Sequence, residues 1–262
     1  MRQRGARGAD GALWLLDSAS TTECAKGGSA ALVPKLVAWG RRANKVARVI
    51  ESPSPASIPG SQHNDFVVDL KNQVIVIADE AIGEDSVGYG DSAALVVVDL
   101  ETGKSRRVLQ GHESTRPLRE PIRWDVGQPT QGSVGLNVGA DGITRDRAGE
   151  WLYHAPLNNF KVHRARMGDL LDAKLGDAEL GARVQTWSDK PFAGGMTTDA
   201  KGNLYVTEVG ERAVGIIPAT AARRAAAGGR RRAQQAALPD LPLQARGAEH
   251  ARVLTPGRGV RP

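Results

Sequence analysis

Short apolar, often β-branched runs bounded by turn residues recur along residues 1–219. Such runs read as strands. Lys35-Leu36-Val37-Ala38-Trp39 and Ala94-Leu95-Val96-Val97-Val98 each lead through a turn into a second run, and the segments 35–50 and 94–109 align without a gap. The turns end on Asn44 and Gly103, residue types that tolerate the positive φ of a tight hairpin. A second group of segments is also self-similar. Asn64-Asp65-Phe66-Val67-Val68-Asp69 leads into Val74-Ile75-Val76-Ile77-Ala78-Asp79. Asp141-Gly142-Ile143-Thr144-Arg145-Asp146 leads through Gly149 into Trp151-Leu152-Tyr153. Gly194-Gly195-Met196-Thr197-Thr198-Asp199 leads through Gly202 into Leu204-Tyr205-Val206-Thr207-Glu208. A degraded fourth copy spans Gly11 to Asp17. Each reads as strand, Asp-anchored turn, strand, with the aspartate bonding its own turn backbone. Asp69, Asp146 and Asp199 are therefore structural.

Repeated all-strand units point to a β-propeller. The expected class is all-β, with four blade-like units over about 8–55, 60–112, 138–172 and 193–219. Leu170 to Leu175 is expected to form a loop or helical turn between blades. Long loops such as 52–61 and 82–92 lie on the surface, where they shape ligand sites.

Residues 220–262 break the pattern. They hold nine arginines against two acids, a charge of +7, which leaves −1 for residues 1–219 out of the total of +6. A nucleic-acid footprint needs a basic face on a folded scaffold with groups that read or stack on bases. This stretch has no aromatic residue, so no specific nucleic-acid partner is expected. The domain reading is a partial propeller over 1–219 and an Ala/Arg/Gly/Pro-rich tail over 220–262, disordered or partly helical up to Ala237. Out-of-register translation of a GC-rich frame gives such a composition, and native coding is expected to end soon after Ile217.

Cys24 is the only cysteine, so an intrachain disulfide is excluded, and a structural thiol is expected. No apolar run reaches the roughly 18 residues of a membrane span. The apolar stretch 12–16 is shorter than a secretory core of about 7–15 residues, so no signal peptide is visible in this chain. Gly88-Tyr89-Gly90 is too short for a phosphate loop. His112-Glu113-Ser114 lacks the nucleophile elbow that would complete a triad. His63 reads as a loop histidine, and no metal-ligand spacing joins His154 to His163.

Leu13-Trp14-Leu15-Leu16-Asp17-Ser18, Pro34 to Trp39, Asn64 to Asp69, Ala94 to Leu109, Asp141-Gly142-Ile143, Gly149 to Tyr153 and Gly195 to Glu208 together resemble the major royal jelly protein/yellow family in its bacterial form. The resemblance covers about residues 10–217. It implies a fold similar to the six-bladed gluconolactonase/senescence marker protein propellers, here with about four blades and the chain truncated at both ends. It also implies that one oxygen-bearing residue at the start of each inner strand faces a central channel. The matching positions are Asn64, Asp141 and Gly194. In the lactonases such residues hold one divalent ion, which polarises a lactone carbonyl and activates water. Asn64 and Asp141 are then candidate metal ligands, with Ca²⁺ the possible cofactor, while Gly194 has no ligating group. The yellow-type function needs no metal. It implies a channel pocket for small molecules, aromatic amines for some members, with Asn64, Asp65, Asp141, Phe192 and Gly194 as candidate lining and Phe66 as a further aromatic. The favoured reading is a non-hydrolytic ligand-binding or interaction propeller. The alternatives are a calcium-dependent lactonase and a truncated product without activity. Analogy with the family implies a secreted or periplasmic location. The sequence sets neither the ligand nor the oligomeric state.

Overall fold

The computed structural model describes residues 3–7, 11–18, 33–52, 55–82, 90–118, 137–208 and 213–221. Cys24, Gly88, Tyr89 and the tail beyond 221 lie outside them. The described strands form four antiparallel sheets, each a simple meander. Blade I holds β1 (Gln3–Arg7), β2 (Ala12–Asp17), β3 (Lys35–Gly40) and β4 (Lys45–Glu51). Blade II holds β5 (His63–Asp69), β6 (Val74–Asp79), β7 (Ala94–Asp99) and β8 (Ser105–Val108). Blade III holds β9 (Ala140–Arg145), β10 (Trp151–Pro156), β11 (Lys161–Arg166) and β12 (Gln185–Asp189). Blade IV holds β13 (Ala193–Thr198), β14 (Leu204–Glu208) and β15 (Ala213–Ile217).

The first strands lie side by side: β9 packs against β5 on one side and β13 on the other, and β5 also meets β1. That is the radial order of a propeller, with the innermost strand of each sheet nearest a shared axis.

The repeats map onto this frame with two corrections. The third unit does not stop at Asp172: its sheet is completed by β12, which pairs with β11. The 170–175 stretch does not separate blades. It belongs to an insert within blade III, made of α1 (Met167–Leu171) and α2 (Asp177–Arg183). Blade I also begins earlier than expected, at Gln3.

The Asp turns form as expected. Asp146 Oδ1 accepts the N–H groups of Glu150 and Trp151, and Asp199 Oδ1 those of Lys201 and Asn203. Asp69 does the same for Lys71 and Asn72. Gly149 and Gly202 take the left-handed residue of these turns, with φ of 72° and 81°, a conformation that costs glycine little.

The core is three interfaces between sheets. Blade II lies in the middle of two of them, which explains why Val74 to Ala78 is apolar at every position. Ile75 and Ile77 pack on blade I with Trp14, Leu16 and Leu36, while Val74, Val76 and Ala78 pack on blade III with Ile143 and Leu152. Met167, Leu170 and Leu180 of the insert extend the second interface. Blades III and IV meet through Tyr153, Trp187, Met196, Leu204 and Val206. Each fully buried aliphatic side chain contributes about 1.5–3 kcal/mol.

Gly139, at the entry to β9, marks how closely the sheets approach. A Cβ there would overlap the Ala93 Cβ and lie 2.9 Å from the Glu80 carbonyl and 3.0 Å from that of Thr115. Two of those neighbours are backbone atoms and cannot swing aside. Gly139→Ala is expected to cost about 1–3 kcal/mol, the range for overpacking, read as a lower urea midpoint. An unchanged midpoint would show that the junction yields.

Candidate functional site

The meander topology sorts the connections to two ends. The Asp turns at 69–73, 146–150 and 199–203 close one end. The entries to β5, β9 and β13, and the exits of β6, β10 and β14, lie at the other. Asn64, Asp141 and Gly194 are each the second residue of their strand, at this loop-rich end. All three sit at irregularities of register. The ladder slips between His63 and Phe66, between Ala155 and Pro156, whose partners Gly142 and Ala140 flank Asp141, and between Ala193 and Met196. A bulge takes a residue out of the ladder and re-aims its side chain.

These bulges bring the three predicted positions together. The Asn64 side-chain N–H donates to Asp141 Oδ1 across the two strands. Both residues are buried. A Cβ on Gly194 would lie 3.3 Å from Asp141 Oδ2, 3.4 Å from Leu157 Cδ1 and 4.0 Å from Thr207 Oγ1. The next residue, Gly195, donates its N–H to Thr207 Oγ1 at 2.9 Å. Asp65 contributes differently: its Oδ1 accepts the Phe66 N–H at 2.9 Å. Phe66 itself is buried in the interface with blade I and does not line the channel.

Phe192 stands at the edge of this site. It packs with Ile82, Val138 and Leu157, and its ring meets that of Phe160 edge to face, centroids 5.8 Å apart. Phe160 is 48% exposed. The end of the channel thus has a polar floor, Asn64 and Asp141, and an apolar wall that reaches solvent.

Sequence reasoning missed Lys190, which precedes Pro191 and Phe192. It is only 4% exposed. Its amine donates to the carbonyls of Leu157 at 3.4 Å and Pro191 at 3.3 Å. Burial pushes the amine down to about 7, and the Asp141 carboxylate opposes that shift. A lysine in a loop next to proline gives no signal of such burial.

His63 is not a loop residue. It opens β5, is buried, and lies 3.8 Å from Asp79 Oδ2. Arg107 donates to Asp79 as well, Ser61 at 2.6 Å. Burial alone would raise the Asp79 pKa; the His63 and Arg107 charges and the Ser61 and Arg107 hydrogen bonds outweigh it and hold the carboxyl below its usual range. The His112 and Ser114 pair does not form a triad. Ser114 Oγ lies between His112 Nδ1 at 2.8 Å and His154 Nε2 at 2.9 Å and is fully buried. His154 and His163 face each other across β10 and β11.

The donors at Asn64 and Asp141 are a poor match for calcium, which takes about 6–8 oxygens. Among the described residues no group of three or more His, Cys, Asp or Glu converges on one point. Gly194 adds no side chain, and the Asn64 amide is turned to Asp141 as a donor. A separate cleft of about 310 Å³ lies at the opposite end, between Lys71, Asn72, Gly149, Glu150 and Arg166, remote from these groups. Among the described residues no helix is long and apolar enough to cross a membrane.

The chain superposes on solved structures. Hydrazine synthase of Kuenenia stuttgartiensis superposes with a TM-score of 0.53 at 13% identity, over 82% of this chain and 58% of that one. A calcium-binding protein, regucalcin, of Agrobacterium tumefaciens gives 0.49 at 14%, over 83% and 56%. A gluconolactonase of Xanthomonas campestris gives 0.45 at 11%, over 82% and 57%. The chain therefore spans less than two thirds of each of these structures. No curated protein matches its sequence. The sequence profile of the major royal jelly proteins matches residues 9–226, across all four sheets, and the chain belongs to that family.

Proposed function

We propose that the loop-rich end of the channel binds a small organic molecule and does not hydrolyse it. The observation that supports this most is the meeting of Asn64, Asp141 and Gly194 through three equivalent bulges, beside an aromatic wall. Ligand sites combine an apolar lining with a few fixed polar groups. Asp141 and Asn64 supply an acceptor and an amide. Phe192 and Phe160 supply ring faces and edges for a planar ligand. The absence of a side chain at Gly194 lets that backbone lie close to the Asp141 carboxylate, where a Cβ would already be tight at 3.3 Å. A ring bearing an amine matches both parts: the amine meets the carboxylate, and the ring stacks on the wall. A six-bladed ring and an exported setting belong to the same proposal, through family membership.

Calorimetric titration with a simple aromatic amine such as tyramine tests the reading. Saturable binding is expected, weakened about tenfold or more in Asp141→Asn, the loss of a charge-assisted bond. Calcium-dependent hydrolysis of a sugar lactone that vanishes in Asp141→Asn would instead establish the lactonase alternative. No binding of aromatic amines at all would reject the proposed ligand class.

A further inference from the structure

We infer that Ser114, held between His112 and His154, is a proton-operated clasp that fixes the segment after β8 onto blade III and releases it when His112 takes up a proton. The contacts set which nitrogens carry hydrogen. The Ser114 backbone N–H donates to His112 Nδ1 at 3.2 Å. That nitrogen is an acceptor, so the proton of the neutral His112 ring sits on Nε2. Ser114 Oγ lies 2.8 Å from the same Nδ1, and its hydroxyl therefore donates there. The oxygen in turn accepts from His154 Nε2 at 2.9 Å. His154 then carries its proton on Nε2. Its Nδ1, buried with no partner among the described residues, is a bare acceptor and not a stranded donor. The bonds run in one direction, from His154 through Ser114 to His112.

The clasp joins three elements. His112 and Ser114 follow β8, and His154 lies in β10. The His112 ring also packs on α2, where a Cβ on Gly181 would stand 2.9 Å from Cδ2 and 3.0 Å from Nε2. Ser114 and Thr115 are fully buried. The N–H groups of Thr115 and Arg116 donate to the His112 carbonyl at 3.0 Å and 2.9 Å, and that of Leu118 donates to the Asn158 carbonyl on blade III at 2.7 Å. His112 itself is partly exposed, so a proton reaches it from solvent. The proton can add only at Nδ1, and there it meets two donors. The Ser114 N–H loses its acceptor, and the hydroxyl must turn its hydrogen elsewhere. A buried donor without an acceptor carries its full desolvation cost, so the segment opens. Burial is the largest influence on His112 and lowers its pKa; Glu113 then raises it, Arg116 lowers it and Asp177 of α2 raises it. Protonation thus falls below the ordinary histidine value of about 6.5. His154 and His163 face the clasp from β10 and β11, and burial disfavours a proton on either.

The inference needs no ligand and stands apart from the proposed function. The test is amide hydrogen exchange of the full chain at pH 7 and pH 5, read as protection factors so that intrinsic rates drop out. Protection at Thr115, Arg116 and Leu118 is expected to fall about tenfold or more at pH 5 relative to the β6 amides, the scale of one stranded buried bond. The β6 amides report global unfolding, which separates the clasp from a loss of overall stability. His112→Asn sets an amide oxygen, an acceptor that does not titrate, near the Nδ1 position. It is expected to keep the segment protected at both pH values, and Ser114→Ala to leave it open at both. Wild-type protection that tracks β6 at both pH values would overturn the inference. So would a His112→Asn chain that opens at pH 5 as wild type does, or a Ser114→Ala chain as protected at pH 7 as wild type. If neither variant folds, NMR titration of the His112 ring decides: a midpoint that coincides with the loss of protection supports the clasp, and one that does not overturns it.

Discussion

Stability is expected to fall steeply between pH 6.5 and 4, by on the order of 3 kcal/mol from His163 alone. Burial pushes His163 down to about 4, with the charges of His112, Lys161 and Lys190 adding to the shift. The sign follows from proton counting. Above pH 6.5 the ring is neutral in both states, and its contribution is complete. Below 6.5 the unfolded chain takes up a proton that the folded one refuses until about 4. Each unit in that window shifts the balance towards unfolding by about 1.4 kcal/mol. His154, which is fully buried, is lowered in the same direction by desolvation, then by His163 and His112. The two rings are 6.0 Å apart, so a proton on one opposes a proton on the other. Asp79 depends on pH in the same direction but in a lower window: its depressed carboxyl loses its contribution as pH falls through the usual carboxylate range. Urea midpoints at pH 7, 6, 5 and 4 measure the slope, and His163→Gln is expected to flatten it. Equal midpoints from pH 7 to 4 would contradict this account.

Arg107→Met is expected to be among the costliest single changes, at about 3–5 kcal/mol, the range for stripping one partner from a buried ion pair. The Asp79 side chain is fully buried and that of Arg107 5% exposed. Arg107 also donates to the Ala56 carbonyl at 3.2 Å and to the Ser92 carbonyl. It thereby ties the loop entering β5 to the segment entering β7. Its removal leaves a buried carboxylate with Ser61, Gln62 and Ala81 as donors but no guanidinium. Asp79→Leu combined with Arg107→Met is expected to recover part of the loss, because no charge is then stranded. Guanidinium denaturation of the two single variants and the double variant measures the coupling. A cost below about 1 kcal/mol for Arg107→Met, typical of exposed pairs, would show the pair to be incidental.

The strands were legible because they bury one face or both, and each case leaves its own pattern. Ala12, Trp14 and Leu16 are buried while Leu13 and Leu15 are only partly so, which gives alternation. Blade II is covered on both faces, which gives the unbroken run at Val74 to Ala78. The Asp turns were legible because the aspartate and the left-handed residue stand at fixed spacing. The positions of Asn64, Asp141 and Gly194 followed from the family resemblance. Three features left no such trace. Strand β12, Gln185-Thr186-Trp187-Ser188-Asp189, is polar but for Trp187, because only Trp187 and Ser188 are buried on this outer strand. The bulges shift register without changing residue types. Lys190 is buried at a carbonyl of Leu157, far away in sequence.

The sandwiching of blade II has a consequence for cooperativity. Sheets in a radial array touch only their neighbours, so folding free energy is approximately a sum over units and the contacts that join them. Blade II takes part in the contacts with both blade I and blade III. Loosening it uncouples blade I from blades III and IV at once, whereas fraying of blade IV severs a single junction. The middle sheet is thus the keystone through which the two halves unfold together or apart.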